Sequence, residues 1–355
     1  MIEIDGSHGE GGGQILRTSI SLAALTMNSI RITDIRAGRP KPGLKKQHLA
    51  GIKLAGKLVN AEIIGAEIGS KEVEFVPKKR THGKFSQDVG TAGSLSLLLQ
   101  AVLPPAALSP EPVQFNLKGG TDVAWSPPID YMSHVFAWAL EKMGPRTEFD
   151  VHRRGHYPRG GGEVLASIEP VKHISPLKMV EFGELKYIRG ISHCVRLPSH
   201  VARRQAKSAE ERLQKKVMED IDIRVETYPK NSDPHLGAGS GIVLWAESTD
   251  GYRLGADSLG ERGKRAEIVG EEAAQHLLEE ISAGMAVDVH LADMLVPYLA
   301  IAEGTSKIGV SEISSHLRTN IWVAEQILGV EYKLETKPDG TGILSIKGVG
   351  ITLLD

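Results

Sequence analysis

A carboxylate set within a run of glycines, Gly9-Glu10-Gly11-Gly12-Gly13, and an arginine one helical turn later at Arg17 combine residue types that handle charged oxygens. Five glycines between Asp5 and Arg17 free the backbone for left-handed turns and close approach to a ligand. Behind the loop, Leu16, Ile20, Ala23 and Met27 fall at i, i+4, i+7 and i+11, the buried stripe of an amphipathic helix. Loop and helix together expose unpaired N–H groups and the positive end of a helix dipole, where phosphate or carboxylate binds. Glu10 has a role in such a cradle if it holds a divalent cation that bridges to phosphate oxygens. The loop alone fits a tight strand-to-helix turn with a solvated glutamate equally well. It is neither a Walker A loop nor a dinucleotide fingerprint, because no Lys-Ser/Thr follows the last glycine and no G-x-G-x-x-G opens on a long strand.

Further segments carry candidate chemistry. The stretch Arg36 to His48 holds five lysines and arginines and a histidine among thirteen residues, with two prolines and two glycines guiding its path, which suits a rigid phosphate contact or a solvated loop. Arg153-Arg154-Gly155-His156-Tyr157-Pro158-Arg159 and the three glycines after it interleave cations with rings. That pattern fits single-stranded nucleic acid, with rings on bases and arginines on the backbone, or a decorated hairpin. Lys118 to Pro128 follows a strand and leads into a helix, at the edge of a cleft. In Ser314-Ser315-His316, two small polar residues cap a helix and place an imidazole on its exposed first turn. A neutral imidazole there is a competent nucleophile toward phosphorus. The residues alone do not select His316 from thirteen histidines.

These residues must be positioned by repeated elements. Residues 14 to 77 read helix, strand, helix, strand, strand, with Leu49, Ile52, Ala55 and Val59 on one face of the second helix. Residues 91 to 169 read the same way, with helices from Ala92 to Leu103 and from Ile129 to Met143. A third copy spans 287 to 354. The expected fold is α/β, with three repeated units in a pseudo-threefold arrangement forming one domain over 1–183 and 284–355. Within it the repeats run to about residues 80 and 172 and from 284 to the end. Residues 184–283 form an inserted smaller domain of thioredoxin-like order: strand 186–196, helix 200–219, strand 221–228, strands 240–248 and 251–257, helix 264–282. The turn from Asn231 to Gly241 reads as a surface loop.

The chain has 355 residues, 41% of them apolar, and 42 basic against 44 acidic side chains. A net charge of −2 excludes a bulk polyanion binder, so nucleic acid must meet a local basic patch. One cysteine, Cys194, excludes an intrachain disulfide, a C-x-x-C redox pair and a cysteine-based zinc site. No apolar run long enough to span a membrane and no basic-then-apolar leader occur, so a cytoplasmic protein without membrane contact is expected.

Taken together, Asp5-Gly6-x-x-Gly9-Glu10-Gly11-Gly12-Gly13-Gln14-Ile15-Leu16-Arg17, Arg36-Ala37-Gly38-Arg39-x-Lys41-Pro42-Gly43-Leu44, Gln47-His48-Leu49, Gly119-Gly120-Thr121-Asp122 and Ser315-His316-Leu317-x-Thr319-Asn320 closely resemble the RNA 3'-terminal phosphate cyclase family. The resemblance covers the whole chain, in order, and the family's architecture of three α/β repeats with an inserted domain matches the periodicity. It implies an ATP-dependent conversion of an RNA 3'-phosphate to a 2',3'-cyclic phosphodiester through an adenylyl-histidine and an RNA adenylate, releasing pyrophosphate and AMP.

By that resemblance His316 is the nucleophile, and Glu10 holds magnesium or manganese. Arg17, Arg36, Arg39, Gln47 and His48 meet phosphates. Gln100, Pro128, His290, Leu291, Ala292, Asp293 and Met294 contact the nucleotide, with His290 and Pro128 sandwiching adenine. Two positions depart from the pattern: His290 stands where bacterial relatives often place tyrosine, and Met294 where glutamine is common. A histidine ring still stacks, but methionine cannot reproduce an amide's hydrogen bonds. Two competitors are a noncatalytic cyclase-like factor of ribosome assembly, against which the intact His316 motif argues, and an enolpyruvyl transferase, which accounts for neither the glycine loop nor His316. The partner expected is RNA with a 3'-terminal phosphate; oligomeric state is not legible.

Overall fold

Strands with one apolar face pack against helices with one apolar stripe throughout the chain. The computed structural model describes residues 1–353; residues 354 and 355, at the end of the expected third unit, lie outside the described residues. The first sheet is built from β1 (Ile2–Asp5), β2 (Ile30–Thr33), β3 (Glu62–Ile64) and β4 (Val73–Val76), with α1 (Gly13–Thr26) and α2 (Lys46–Leu58) in the connections. Its order is β1-β2-β4-β3, parallel between the first two strands and antiparallel beyond. Alternation puts Ile30, Ile32, Val73 and Phe75 inside while the intervening side chains are half-exposed, so only one face of this sheet is covered.

The same order and pairing recur twice. The second sheet runs β5 (Gly83–Asp88), β6 (Val113–Gly119), β8 (Gly162–Glu169), β7 (Arg146–Arg153). The third runs β9 (Lys178–Met179), β14 (Thr305–Val310), β16 (Gly342–Lys347), β15 (Glu331–Thr336). Each begins with a parallel pair and continues antiparallel. Helices α3 (Leu95–Ala107), α8 (Val289–Ile301) and α9 (Ser315–Leu328) belong to these units, and α1 packs against α2, α3 and α9. One continuous apolar core joins residues of all three sheets. Its area buried from water supplies the main stabilisation.

The helix and strand order expected for each unit is present, with informative differences. Of the leading strands, β1 alternates Ile2 and Ile4 with Glu3 and Asp5 over only four residues, while β5 alternates half-buried with exposed residues and β9 is two residues long, so period-two patterning is weak there. Helix α3 starts at Leu95, where Ser94 Oγ accepts the Leu97 N–H, and continues through Pro104 and Pro105 to Ala107. Those prolines lack N–H donors, yet Leu103 to Ala107 are fully buried, and packing outweighs the lost bonds. The helix expected over 129–143 is α4 (Ile129–Tyr131), a π-helical turn over Met132–Phe136 and α5 (Ala137–Lys142) in continuous register.

Residues 185 to 283 form a fourth sheet of different order, β11 (Asp220–Thr227), β10 (Leu185–Val195), β12 (Gly239–Ser248), β13 (Arg253–Leu259), with α6 (His200–Leu213) and α7 (Ala266–Ala283). Helix α6 ends at Leu213 rather than 219 and is followed by a turn in which the amides of Lys216 and Val217 share the Leu213 carbonyl. This sheet has two apolar faces. Ile188, Ile242, Leu244 and Ala246 join α6 and α7 in a second core, while Ile191, Val243 and Trp245 point into the main one. Trp245 stacks on His134 of the π-helical turn, with ring centroids 4.2 Å apart. Among the described residues no helix is long and apolar enough to cross a membrane.

Candidate functional site

The glycine loop and the basic loop meet backbone to backbone. Helix α1 starts after Gly12, which offers no side-chain cap, so the amides of its first turn stay open. A Cβ on Gly38 would lie 2.5 Å from the carbonyl oxygen of Glu10, and one on Gly13 would lie 2.8 Å from His48 Nε2. The close approach holds Glu10 beside the cationic loop: Arg39 stands 3.5 Å from Glu10 Oε2. Arg36, in a left-handed conformation with φ 58°, is tied into its own loop by hydrogen bonds to the carbonyls of Lys41 and Gly43 at 2.8 and 2.9 Å. His48 Nδ1 accepts the Lys45 amide at 3.1 Å. Burial, helped by Arg36, Arg17 and Lys45, pushes this imidazole down to about 3, so it is neutral at ordinary pH. Gln47 accepts the Ser94 amide at 2.9 Å and so joins α2 to the start of α3.

Two glycines in this region make opposite predictions. Gly38→Ala must push backbone against backbone and should lower stability by roughly 1–3 kcal/mol, as overpacking does. Gly51→Ala, inside α2, meets nothing closer than the Ala101 Cβ at 4.0 Å and should raise stability by about 0.5–1 kcal/mol through helix propensity. Urea unfolding of the two variants checks both signs; equal midpoints would contradict the packing described.

The third unit meets this wall from the other side. Ser314 caps α9, its Oγ accepting the Leu317 amide at 2.9 Å and donating to Asp293 Oδ1 at 2.8 Å. Buried Asn320 accepts from Gln14 and Thr18 of α1, both at 2.7 Å, and donates to the Asp293 carbonyl at 2.7 Å. One amide thus ties α1, α8 and α9 together. His8 of the glycine loop stacks on Trp322 of α9, with centroids 3.9 Å apart. Through these contacts His316 comes within 3.9 Å of Glu10 Oε2, and the Ser315 hydroxyl hydrogen-bonds Glu10 Oε1. His316 remains 46% exposed. Burial holds its imidazole below the ordinary value, with Glu10 opposing and Arg17 and Arg39 adding to the effect.

Beside His316 opens a cavity of about 310 Å³ lined by Arg17, Gln100, Trp125, Pro127, His290 and Met294 among others. Arg17 Nε donates to Gln100 Oε1 at 3.0 Å, and burial draws the guanidinium down to about 10 while leaving it charged. Asp293, also on this wall, is pushed up to about 7 by burial. His290 is exposed and sits edge-on to Tyr131 at 6.1 Å.

Of the residues singled out from sequence, Arg17, Gln100, His290, Asp293, Met294 and His316 line this cavity. Gln47 and His48 line a smaller adjoining hollow, which Arg17 shares. Glu10 and Arg39 lie beside His316 at the loop wall. Leu291 and Ala292 are fully buried in the core, and Pro127 rather than Pro128 faces the cavity. Sequence reasoning did not single out Gln14, Trp125, Asp257 or Leu259 as site residues, although all line the cavity. Trp125, at φ 67° and 98% exposed, is visible only once the backbone is known. Asp257 and Leu259 come from β13, which no local pattern connects to α9.

A second polar cluster joins the fourth sheet to the main body. Arg154, 2% exposed, binds Glu226 of β11 through two hydrogen bonds of 2.7 and 2.9 Å, and pairs with Asp130 at 2.8 Å and Asp122 at 3.4 Å. His156 and His193 face each other across this cluster.

Comparison with known proteins gives a consistent result. A family profile described as RNA 3'-terminal phosphate cyclase matches residues 8–334. The chain is similar to the RNA 3'-terminal phosphate cyclase of Methanopyrus kandleri, 52% identical over 350 residues and covering 99% of each chain. It is also similar to proteins of that name from Ignicoccus hospitalis, 51% identical over 98% of this chain and 99% of the relative, and Thermococcus kodakarensis, 50% identical over 97% and 98%.

Proposed function

Since the chain belongs to the RNA 3'-terminal phosphate cyclase family, we propose that it converts an RNA 3'-phosphate into a 2',3'-cyclic phosphodiester at the expense of ATP. The observation that carries the reading is the approach of His316, on the first turn of α9, to Glu10 and the cationic loop, next to a cavity sized for a nucleotide.

In the proposed sequence, an imidazole nitrogen of His316 attacks the α-phosphorus of ATP, the bond to the β-phosphate oxygen breaks, and pyrophosphate leaves. An oxygen of the RNA 3'-phosphate then attacks the same phosphorus, breaking the P–N bond and taking the adenylate. Finally the ribose 2'-oxygen attacks the 3'-phosphorus, loses its proton and expels AMP. Histidine suits the first two steps, being nucleophilic when neutral and a good leaving group when protonated. The guanidinium of Arg17 lines the cavity beside His316, where phosphate charge develops. Arg39 neutralises phosphate from the loop wall, with Arg36, Gln47 and His48 shaping the surface behind it. Gln100, His290 and Met294 hold the nucleoside, and Asp293 and Asn320 fix the start of α9. Within this reading Pro128, Leu291 and Ala292 support the nucleotide wall from behind.

Glu10 offers a hard, exposed carboxylate oxygen beside the candidate nucleophile, which fits magnesium or manganese held by one carboxylate and substrate oxygens. Such an ion supplies charge neutralisation for the transferred phosphate. For the fold, the reading is three repeats around a pseudo-threefold axis, interrupted after β9 by an inserted domain of thioredoxin-like order over 184–283. The shared strand order of three sheets and the separate core of the fourth support it.

Incubated with ATP and magnesium, an end-labelled RNA bearing a 3'-phosphate should become resistant to phosphatase, while the same RNA ending in 3'-hydroxyl stays unchanged. Persistent phosphatase sensitivity would remove the cyclase reading.

A further inference from the structure

Asp122, His156 and His193 come from three separate parts of the chain: the segment after β6, the loop between β7 and β8, and strand β10 of the fourth sheet. All three are buried, and one ligand atom of each lies within 4.8 Å of the other two. His156 Nε2 and His193 Nε2 are 3.2 Å apart, and Asp122 Oδ1 is 3.9 Å from His193 Nε2. Ligands on a tetrahedral zinc ion at about 2.0–2.1 Å stand roughly 3.3 Å from one another. The imidazole pair already stands at that spacing, and the Asp122 oxygen, at 3.9 Å from His193, needs to move in by about half an ångström to join them on one ion.

The hydrogen bonds around the three residues leave this point unfilled. Asp122 Oδ2 accepts from the Thr121 hydroxyl at 2.6 Å and from Arg154 at 3.4 Å, whereas the fully buried Oδ1 has no donor. A single N–H shared between the two imidazoles cannot also reach that oxygen. A buried carboxylate oxygen left bare is costly. One carboxylate oxygen held by donors and the other aimed at imidazole nitrogens is the arrangement that outer-shell partners give to metal ligands. Charge points the same way: Asp122, Asp130 and Glu226 surround the one guanidinium of Arg154, so a buried excess of negative charge faces the histidines. Cys194 is excluded as a ligand, because neighbours on a strand point to opposite faces and its Sγ bonds the Pro198 carbonyl instead.

We propose that Asp122, His156 and His193 form a binding site for a zinc-class divalent ion, separate from Glu10 and joining the fourth sheet to the main body. Two imidazoles and one carboxylate suit zinc or its neighbours rather than magnesium or calcium, with the fourth position left to water.

The test uses the full-length protein, stripped with chelator and titrated with Co²⁺, whose visible absorption reports four-coordinate nitrogen and oxygen ligation. Wild type and Glu10→Gln should both bind one equivalent with that spectrum, and His193→Gln should bind at least about tenfold more weakly. The site is refuted if wild type shows no such band, if Glu10→Gln abolishes it, or if His193→Gln binds as tightly as wild type. X-ray absorption on the zinc-loaded wild type decides independently of any variant's folding. Two imidazoles and an oxygen shell support the site, and an all-oxygen or sulfur-containing shell overturns it.

Discussion

His316→Ala is expected to abolish transfer of label from α-labelled ATP to the protein. Deleting a covalent nucleophile acts on the scale of roughly 10⁴-fold or more, so the band should vanish from a denaturing gel rather than fade. The variant should fold normally, since the side chain is 46% exposed and contributes no buried contact to the core. Its own near neighbours explain why no other histidine substitutes. His48 faces Gly13, and His290 lines the cavity from α8, whereas His316 is the one that reaches Glu10. Equal labelling of His316→Ala and wild type would show that the covalent intermediate forms elsewhere or not at all.

The second large effect is on stability. Arg154→Met removes the buried cation that contacts all three clustered carboxylates, and breaking such a buried arrangement from one side costs about 3–5 kcal/mol. The loss should appear as a lowered urea midpoint. The difference in fluorescence between chains with and without Trp245→Phe, at the junction between fourth sheet and main body, reports it locally among the four tryptophans. Lys78→Ala, which removes an exposed pair with Glu62, should hardly move the same midpoint. If the two variants unfold alike, the Arg154 cluster is not what binds the fourth sheet in place.

Much of this molecule is legible in its residues, for reasons of periodicity. Helices such as α2 and α9 carry apolar stripes that need a core on one side, and strands β6 and β8 alternate cleanly, so the order of elements in each unit follows from patterning. Strands β5 and β9 escape because one is a half-exposed edge and the other is only two residues long, and their pairing is decided by distant partners. The candidate site divides similarly. Glu10, Arg17 and His316 stand in local motifs whose residue types already suggest phosphate chemistry. Asn320 looks like an ordinary helix residue until three helices converge on it. Asp257 and Leu259 join the cavity wall only because β13 folds back onto the main body. The Asp122, His156 and His193 grouping is least visible of all, since each residue lies in a segment with an unremarkable spacing to the others.

Strand β9 is two residues long, yet it pairs with β14 across the whole of the fourth sheet and its helices. Closing a loop on the order of a hundred residues costs entropy that grows only slowly with length, so the detour is tolerable once the intervening part is compact. During synthesis, however, the ribosome releases β9 long before its partner exists. The first two sheets can complete while the chain is still growing, whereas the sheet flanking α9 must wait for β14, β15 and β16. The candidate nucleophile therefore cannot reach Glu10 until the third unit has been made, and a chain stopped before α9 would be chemically silent, with the face of α1 that packs on α9 left uncovered.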